Sequence, residues 1–159
     1  MSVASESFVE QIAVCLEAEG MPRVAGRLFG LLMISAEPKS LDDLAEQLEV
    51  SKASVSVNAR YLEDRAKIER ISRTGDRRDY YQISDDILER AIEDRATRVR
   101  RLQQVVGAAR EGHVFKNEIV RQRLDMVDAA YAHLLEANQR TLEEWRAKRH
   151  KTTSSNKAR

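Results

Sequence analysis

Three features of the sequence predict a mainly α-helical fold carrying one small β-hairpin. Two short amphipathic helices meet at a tight corner between Ser40 and Leu62. Two extended runs, 67–73 and 79–83, flank a basic tip, and from Asp85 onward the pattern is long helix. Helix, turn, helix and then a hairpin with arginines at its tip is the order of a winged helix-turn-helix.

Along the chain, Ser7-Phe8-Val9-Glu10 has capping-box spacing. Phe8, Ile12, Cys15 and Leu16 then line one face of a helix that Gly20 ends. Cys15 has no cation or second cysteine nearby to lower its pKa, so it reads as a buried structural residue. Pro22 fits the first turn of a second helix running to about Ser35, with Leu28, Leu31 and Leu32 as its stripe. Gly26 and Gly30 form a GxxxG there. Arg23 and Arg27 exclude a membrane span, which leaves close approach of a neighbouring helix as the gain. Glu37-Pro38-Lys39 is a loop. Ser40 caps the next helix, answered by Asp43, and Leu41, Leu44, Ala45 and Leu48 share its buried face. Glu49-Val50 turns the corner, Ser51 is the following N-cap, and Val55, Ala59 and Leu62 face inward.

The outward face of that second helix carries Ala53, Ser56, Val57 and Arg60, with Ser51, Lys52 and Ser54 at its N-terminus. Small and hydrogen-bonding groups around one cation let a helix enter the major groove of double-stranded DNA. Ala53, Ser56 and Arg60 would then face bases, and Val57 a thymine methyl. Ser51, Lys52 and Ser54 would meet phosphate. The other reading is an ordinary two-helix corner whose serines only cap. The hairpin weighs against that. Its tip, Thr74-Gly75-Asp76-Arg77-Arg78, places glycine where positive φ is needed. Arg70, Arg73, Arg77 and Arg78 cluster against the one acid Asp76, as a wing that follows phosphates or a minor groove requires. Ile68 and Ile71 do not share a face, so a bulge or a short strand is expected.

In the C-terminal half, Leu88, Ile92, Val99, Leu102 and Val106 recur at helical spacing, and Gly112 predicts a turn near 111–113. The mixed charges of RAIEDRATRVRR mark a solvated face. A last helix, about 115–148, places Val120, Leu124, Val127, Tyr131, Leu134, Leu142 and Trp145 at steps of three and four, interrupted by Asn138. So narrow a stripe needs a partner, and a second copy of the chain supplies one: a homodimer, with Asn138 helping to fix register. The domain reading is therefore an N-terminal dimerisation helix (1–20), a winged helix (21–84), C-terminal dimerisation helices (85–148) and a basic disordered tail (149–159).

SKASVSVNARYLE followed by RTGDRRDYY resembles the winged helix of MarR-like transcription regulators. The upstream MPRVAGRLFGLLMISAEPKSLDDLAEQL is similar to their glycine-betaine-regulator (GbsR) branch. The resemblance covers roughly residues 20–85. It implies a winged helix acting on DNA as a repressor, with a small-molecule effector. Asn58 matches the family pattern but lies toward the domain-facing side, where an internal hydrogen bond is its other reading. Ala66-Lys67 stands where such proteins usually have glycine, so either Lys67 takes a left-handed conformation or the helix ends differently. A quaternary-ammonium effector would need an aromatic cage. Phe8, Phe29, Phe115, Tyr131 and Trp145 read equally well as core or seam, so no ligand residue is singled out.

Net charge is only +1, but residues 146–159 hold six cations and no acid, leaving 1–145 with 21 basic and 26 acidic residues. DNA affinity is then expected to be local to the wing, with the tail as a second basic segment, doubled by dimerisation. No apolar run spans a bilayer and no secretory leader is expected, which reads as a cytoplasmic protein. The histidines His113, His133 and His150 are scattered, and no phosphate loop or nucleophile elbow occurs. Neither an enzyme nor a cofactor is expected. The competing function is a winged helix that docks on an acidic protein without binding an operator.

Overall fold

The computed structural model describes residues 1–112 and 115–156. The order is α1 (Val3–Ala18), α2 (Arg23–Met33), β1 (Lys39–Ser40), α3 (Leu41–Leu48), α4 (Lys52–Glu63), β2 (Ile68–Ser72), β3 (Asp79–Ile83), α5 (Ile87–Glu111) and α6 (Glu118–Asn156). The chain divides into two compact units, Met1–Ile87 and Leu88 onward. The first unit is a winged helix.

α1 begins earlier than its sequence suggests. Ser2 caps it by accepting the Ser5 amide at 3.2 Å, and Ser7 lies inside the helix, where it accepts from Gln11. The helix is also turned by one position. Val9 and Ala13 are buried, Phe8, Ile12 and Leu16 flank them, and Cys15 is exposed rather than structural. The glycines of α2 explain the turn. A Cβ at Gly26 would stand 2.8 Å from Ala13 Cα, and one at Gly30 would stand 3.2 Å from Val9 Cα. The backbones meet along Val9 and Ala13, so Cys15, about 200° round the wheel from Ala13, points away. Pro22 is the N-cap of α2, whose Ala25, Leu28, Leu31 and Leu32 enter the core.

The capping box on α3 forms as the sequence requires. Asp43 N–H donates to Ser40 Oγ at 3.2 Å, and Ser40 N–H donates to Asp43 Oδ2 at 3.0 Å. Glu49 turns the corner at φ 55°. Leu44, Leu48, Val55, Ala59 and Leu62 are wholly buried, and with α2, Ile68 and Tyr81 they form the core. The left-handed residue after α4 is Ala66 at φ 49°, one before the expected Lys67. Ala66 N–H reaches Glu63 O and Lys67 N–H reaches Leu62 O, closing the helix end.

The sheet has three antiparallel strands in the order β1-β3-β2. Lys39 and Ser40, expected as loop and cap, pair with Tyr81 and Tyr80. β2 pairs with β3 without a bulge, from Ile68↔Ile83 to Ser72↔Asp79. Ile68 faces the core and Ile71 the opposite side, which a regular short strand allows. Gly75 turns the tip at φ 83°.

In the second unit α5 has no buried residue. α6 starts at Glu118, where Asn117 Oδ1 accepts the Ile119 amide at 2.9 Å. It runs to Asn156, so the tail expected to be disordered is helical that far: extending a formed helix needs no new nucleus. Residues 113–114, in the expected turn, and 157–159 lie outside the described residues. Arg110 pairs with Asp125 and Asp128, Arg146 with Glu89 and Glu93, and Arg149 with Glu89, tying the two helices at both ends.

Candidate nucleic-acid interface

α4 is fixed to the core through Val55, Ala59 and Leu62, with Tyr61 packed at the core's edge, so the opposite side of the helix faces away. Ala53, Val57 and Arg60 are exposed, Val57 at 66%, with Ser56 half-buried at their edge. A valine so open to water on an otherwise well-packed helix is available for contact. Arg60 has no ion pair or hydrogen bond among the described residues. At the N-terminus Ser51 Oγ accepts the Ser54 amide at 3.2 Å, and Lys52 meets Asp42 across the corner at 2.7 Å. Both partners of that pair are more than half exposed, so it is a weak surface contact that a phosphate can displace. Asn58 departs from the outward set. It is half-buried and donates to Ser54 O at 2.8 Å, which leaves it the internal role.

The four wing arginines are not equivalent. Folding brings acids to them that lie apart in sequence. Arg70 lies between Glu63 and Asp79 at 3.5 and 3.4 Å, and these carboxylates raise its pKa, Asp79 more than Glu63. Arg73 lies over the Tyr80 ring, 3.8 Å from Glu37. Arg78 is held by Asp76, Nη2 to Oδ2 at 2.7 Å and its own N–H to Oδ1 at 2.9 Å. The bonds from Arg78 and the Tyr80 hydroxyl hold the Asp76 carboxyl well below the usual carboxylate range. Arg77, beside exposed Thr74 and Gly75, has no ion pair among the described residues. The tip therefore presents one uncommitted guanidinium and two ordered ones, Arg73 and Arg78. Sequence reasoning counted Asp76 only as the lone acid of the tip and passed over Tyr80, although the alternation Asp76-x-Arg78-x-Tyr80 puts the three on one side of a hairpin.

This geometry can place a helix of small outward side chains and a separate cationic finger against a polyanion. Residues 19–79 match the MarR family model. The HTH-type transcriptional regulator MmpR5 of Mycobacterium tuberculosis is 35% identical over 99 residues, 62% of this chain and 60% of that protein. The HTH-type transcriptional repressor OpcR of Bacillus subtilis is 31% identical over 83 residues, 52% of this chain and 45% of that protein. The chain thus spans only about half the length of the curated relatives it matches. A crystal structure of a transcriptional regulator aligns with 91% of this chain and 99% of its own, at TM-score 0.71 and 26% identity. The fold likeness therefore extends beyond the MarR segment. No helix among the described residues is long and apolar enough to cross a membrane.

Proposed function

We propose that this protein is a DNA-binding transcriptional regulator, acting as a homodimeric repressor on a pseudo-palindromic operator and released by a small-molecule effector. The observation that carries the reading is the pairing, in one compact unit, of an outward α4 face with exposed Arg60 and a wing with exposed Arg77, neither side chain in an ion pair among the described residues. Ala53, Ser56, Val57 and Arg60 read bases, Ser51, Lys52 and Ser54 meet phosphate, and Arg77 enters the adjacent minor groove or follows phosphates. The repressor sense draws support from the likeness to OpcR, an HTH-type transcriptional repressor. The finer placement in the glycine-betaine-regulator branch rests on the proline-led α2 with Gly26 and Gly30 and on the wing RTGDRRDYY.

The test is binding to DNA upstream of the protein's own gene across a salt series. The expected slope of log K against log salt is steep, and Arg77→Ala lowers its magnitude by about two, one for each wing of the dimer, while leaving the fold intact. A protein that binds neither this DNA nor random duplex at low salt is not an operator-binding regulator, and the protein-docking reading takes its place.

A further inference from the structure

Tyr80 is in an unusual position for a hairpin residue. It lies on the face of the sheet away from the core, paired with Ile71, while its neighbour Tyr81 belongs to the core cluster. Side chains on such a face are ordinarily open to water, yet Tyr80 is 5% exposed. Two arginines lie over its ring. The guanidinium carbon of Arg73 stands 4.2 Å from the ring centroid and that of Arg78 stands 5.4 Å away. The Tyr80 hydroxyl donates to Asp76 Oδ2 at 2.7 Å, the same oxygen that takes Arg78 Nη2. One aromatic residue thus connects both flanks of the tip, Arg73 before the turn and Asp76 and Arg78 after it.

We propose that Tyr80 is the positioning residue of the wing. Its ring is the platform on which Arg73 and Arg78 are ordered before DNA arrives, and its hydroxyl fixes the Asp76 carboxylate that grips Arg78. Asp76 takes Nε and one Nη of Arg78, leaves the other edge of the fork open, and the side chain remains 55% exposed. Arg78 can therefore reach a phosphate while still held. Ordering two long cations in the free protein removes part of the rotamer cost of binding, and it fixes the short loop from which Arg77 projects. This inference rests on the DNA-binding reading above.

The experiment is a double-mutant cycle in the full chain. Affinity for the upstream duplex is measured across a salt series for wild type, Tyr80→Phe, Arg78→Ala and the double variant, with thermal midpoints alongside. Tyr80→Phe removes one hydroxyl and keeps the ring. It is expected to melt like wild type and bind about three- to tenfold more weakly, the loss typical of one ordinary net hydrogen bond. In the Arg78→Ala background the same change is expected to cost less than about twofold, because the group it positions is gone. Asp76→Asn, which still accepts from Tyr80 but grips Arg78 less, should weaken binding to a similar extent. Equal losses in both backgrounds would overturn the inference, since Tyr80 would then act through sheet stability alone. Wild-type affinity in Tyr80→Phe would overturn it too. Absence of binding by the wild type itself overturns the regulator reading and this inference together, a result distinct from either.

Discussion

Asp43 shows how much one side chain at a helix start can decide. Its carboxylate accepts from both the Ser40 hydroxyl and the Ser40 amide, bonds made to the charged form, and these lower its pKa, the hydroxyl bond first. A carboxyl whose pKa is lower folded than unfolded adds stability that is complete above the unfolded value of about 4 and disappears as pH falls through the folded one. Asp43→Ala should therefore cost about 1 kcal/mol at pH 7 by urea denaturation. The difference from wild type should shrink below about pH 4; a difference constant from pH 7 to pH 2 would refute the assignment. The box was legible because its parts are three residues apart. Cys15 was not, because the side of α1 that is buried depends on two glycines a helix away. Asn138 is a further case. Its Nδ2 is buried without a partner among the described residues, in the lining of an α5–α6 cleft of about 440 Å³ that mixes Ile92, Ala96, Leu135 and Leu142 with Glu93, Thr97, Arg100 and Gln139. An unsatisfied buried donor costs about 1–3 kcal/mol, so Asn138→Leu is expected to raise unfolding free energy by roughly 1–2 kcal/mol. A loss of stability instead would mean that the amide finds an acceptor in the assembled protein.

At the scale of elements the α1–α2 pair is held by absence of side chains. A methyl at Gly26 would meet Ala13 backbone at 2.8 Å, closer than real contacts come, whereas one at Gly30 meets Val9 Cα at 3.2 Å. Alanine in place of glycine favours a helix by about 1 kcal/mol, and overpacking costs about 1–3 kcal/mol. For Gly26→Ala the clash wins and the protein should lose stability; for Gly30→Ala the two effects nearly cancel. Gly107 in α5 has nothing within 4 Å of a built Cβ, so Gly107→Ala should gain about 1 kcal/mol. Thermal midpoints of the three variants check the order. The elements themselves were legible where period and cap agreed, as in α3 and α4. The third strand was hidden because two residues, Lys39 and Ser40, carry no periodicity and pair only once β3 is in place. The wing was legible as a basic hairpin and a candidate contact, but the pairing of its arginines was not. Counting one acid against four arginines overlooked Glu37, Glu63 and Asp79, which the fold delivers.

For the molecule as a whole, the two units solve the burial problem differently. Met1–Ile87 closes a core of wholly buried aliphatic residues, whereas α5 buries nothing and α6 leaves Ile119 60%, Met126 68% and Leu134 39% exposed along one side. Intervals of seven and eight residues keep these three on one stripe. An apolar stripe of that length on a helix hairpin is unstable in water unless covered, and a second copy of the same stripe covers it symmetrically. The charge balance points the same way. Residues 1–145 carry five more acids than bases, so on the proposed reading a single wing has little long-range attraction for DNA, and two wings on two half-sites would supply it. The protein is therefore expected to sediment as a dimer at micromolar concentration. Met126→Glu/Leu134→Glu should sediment as a monomer, keep the circular dichroism and melting of the first unit, and bind the upstream duplex about a hundredfold more weakly, because the second half-site no longer acts at high effective concentration. A wild type that stays monomeric, or a double-glutamate variant that remains dimeric, would remove the α6 stripe from the interface and leave α1 or α5 to provide it.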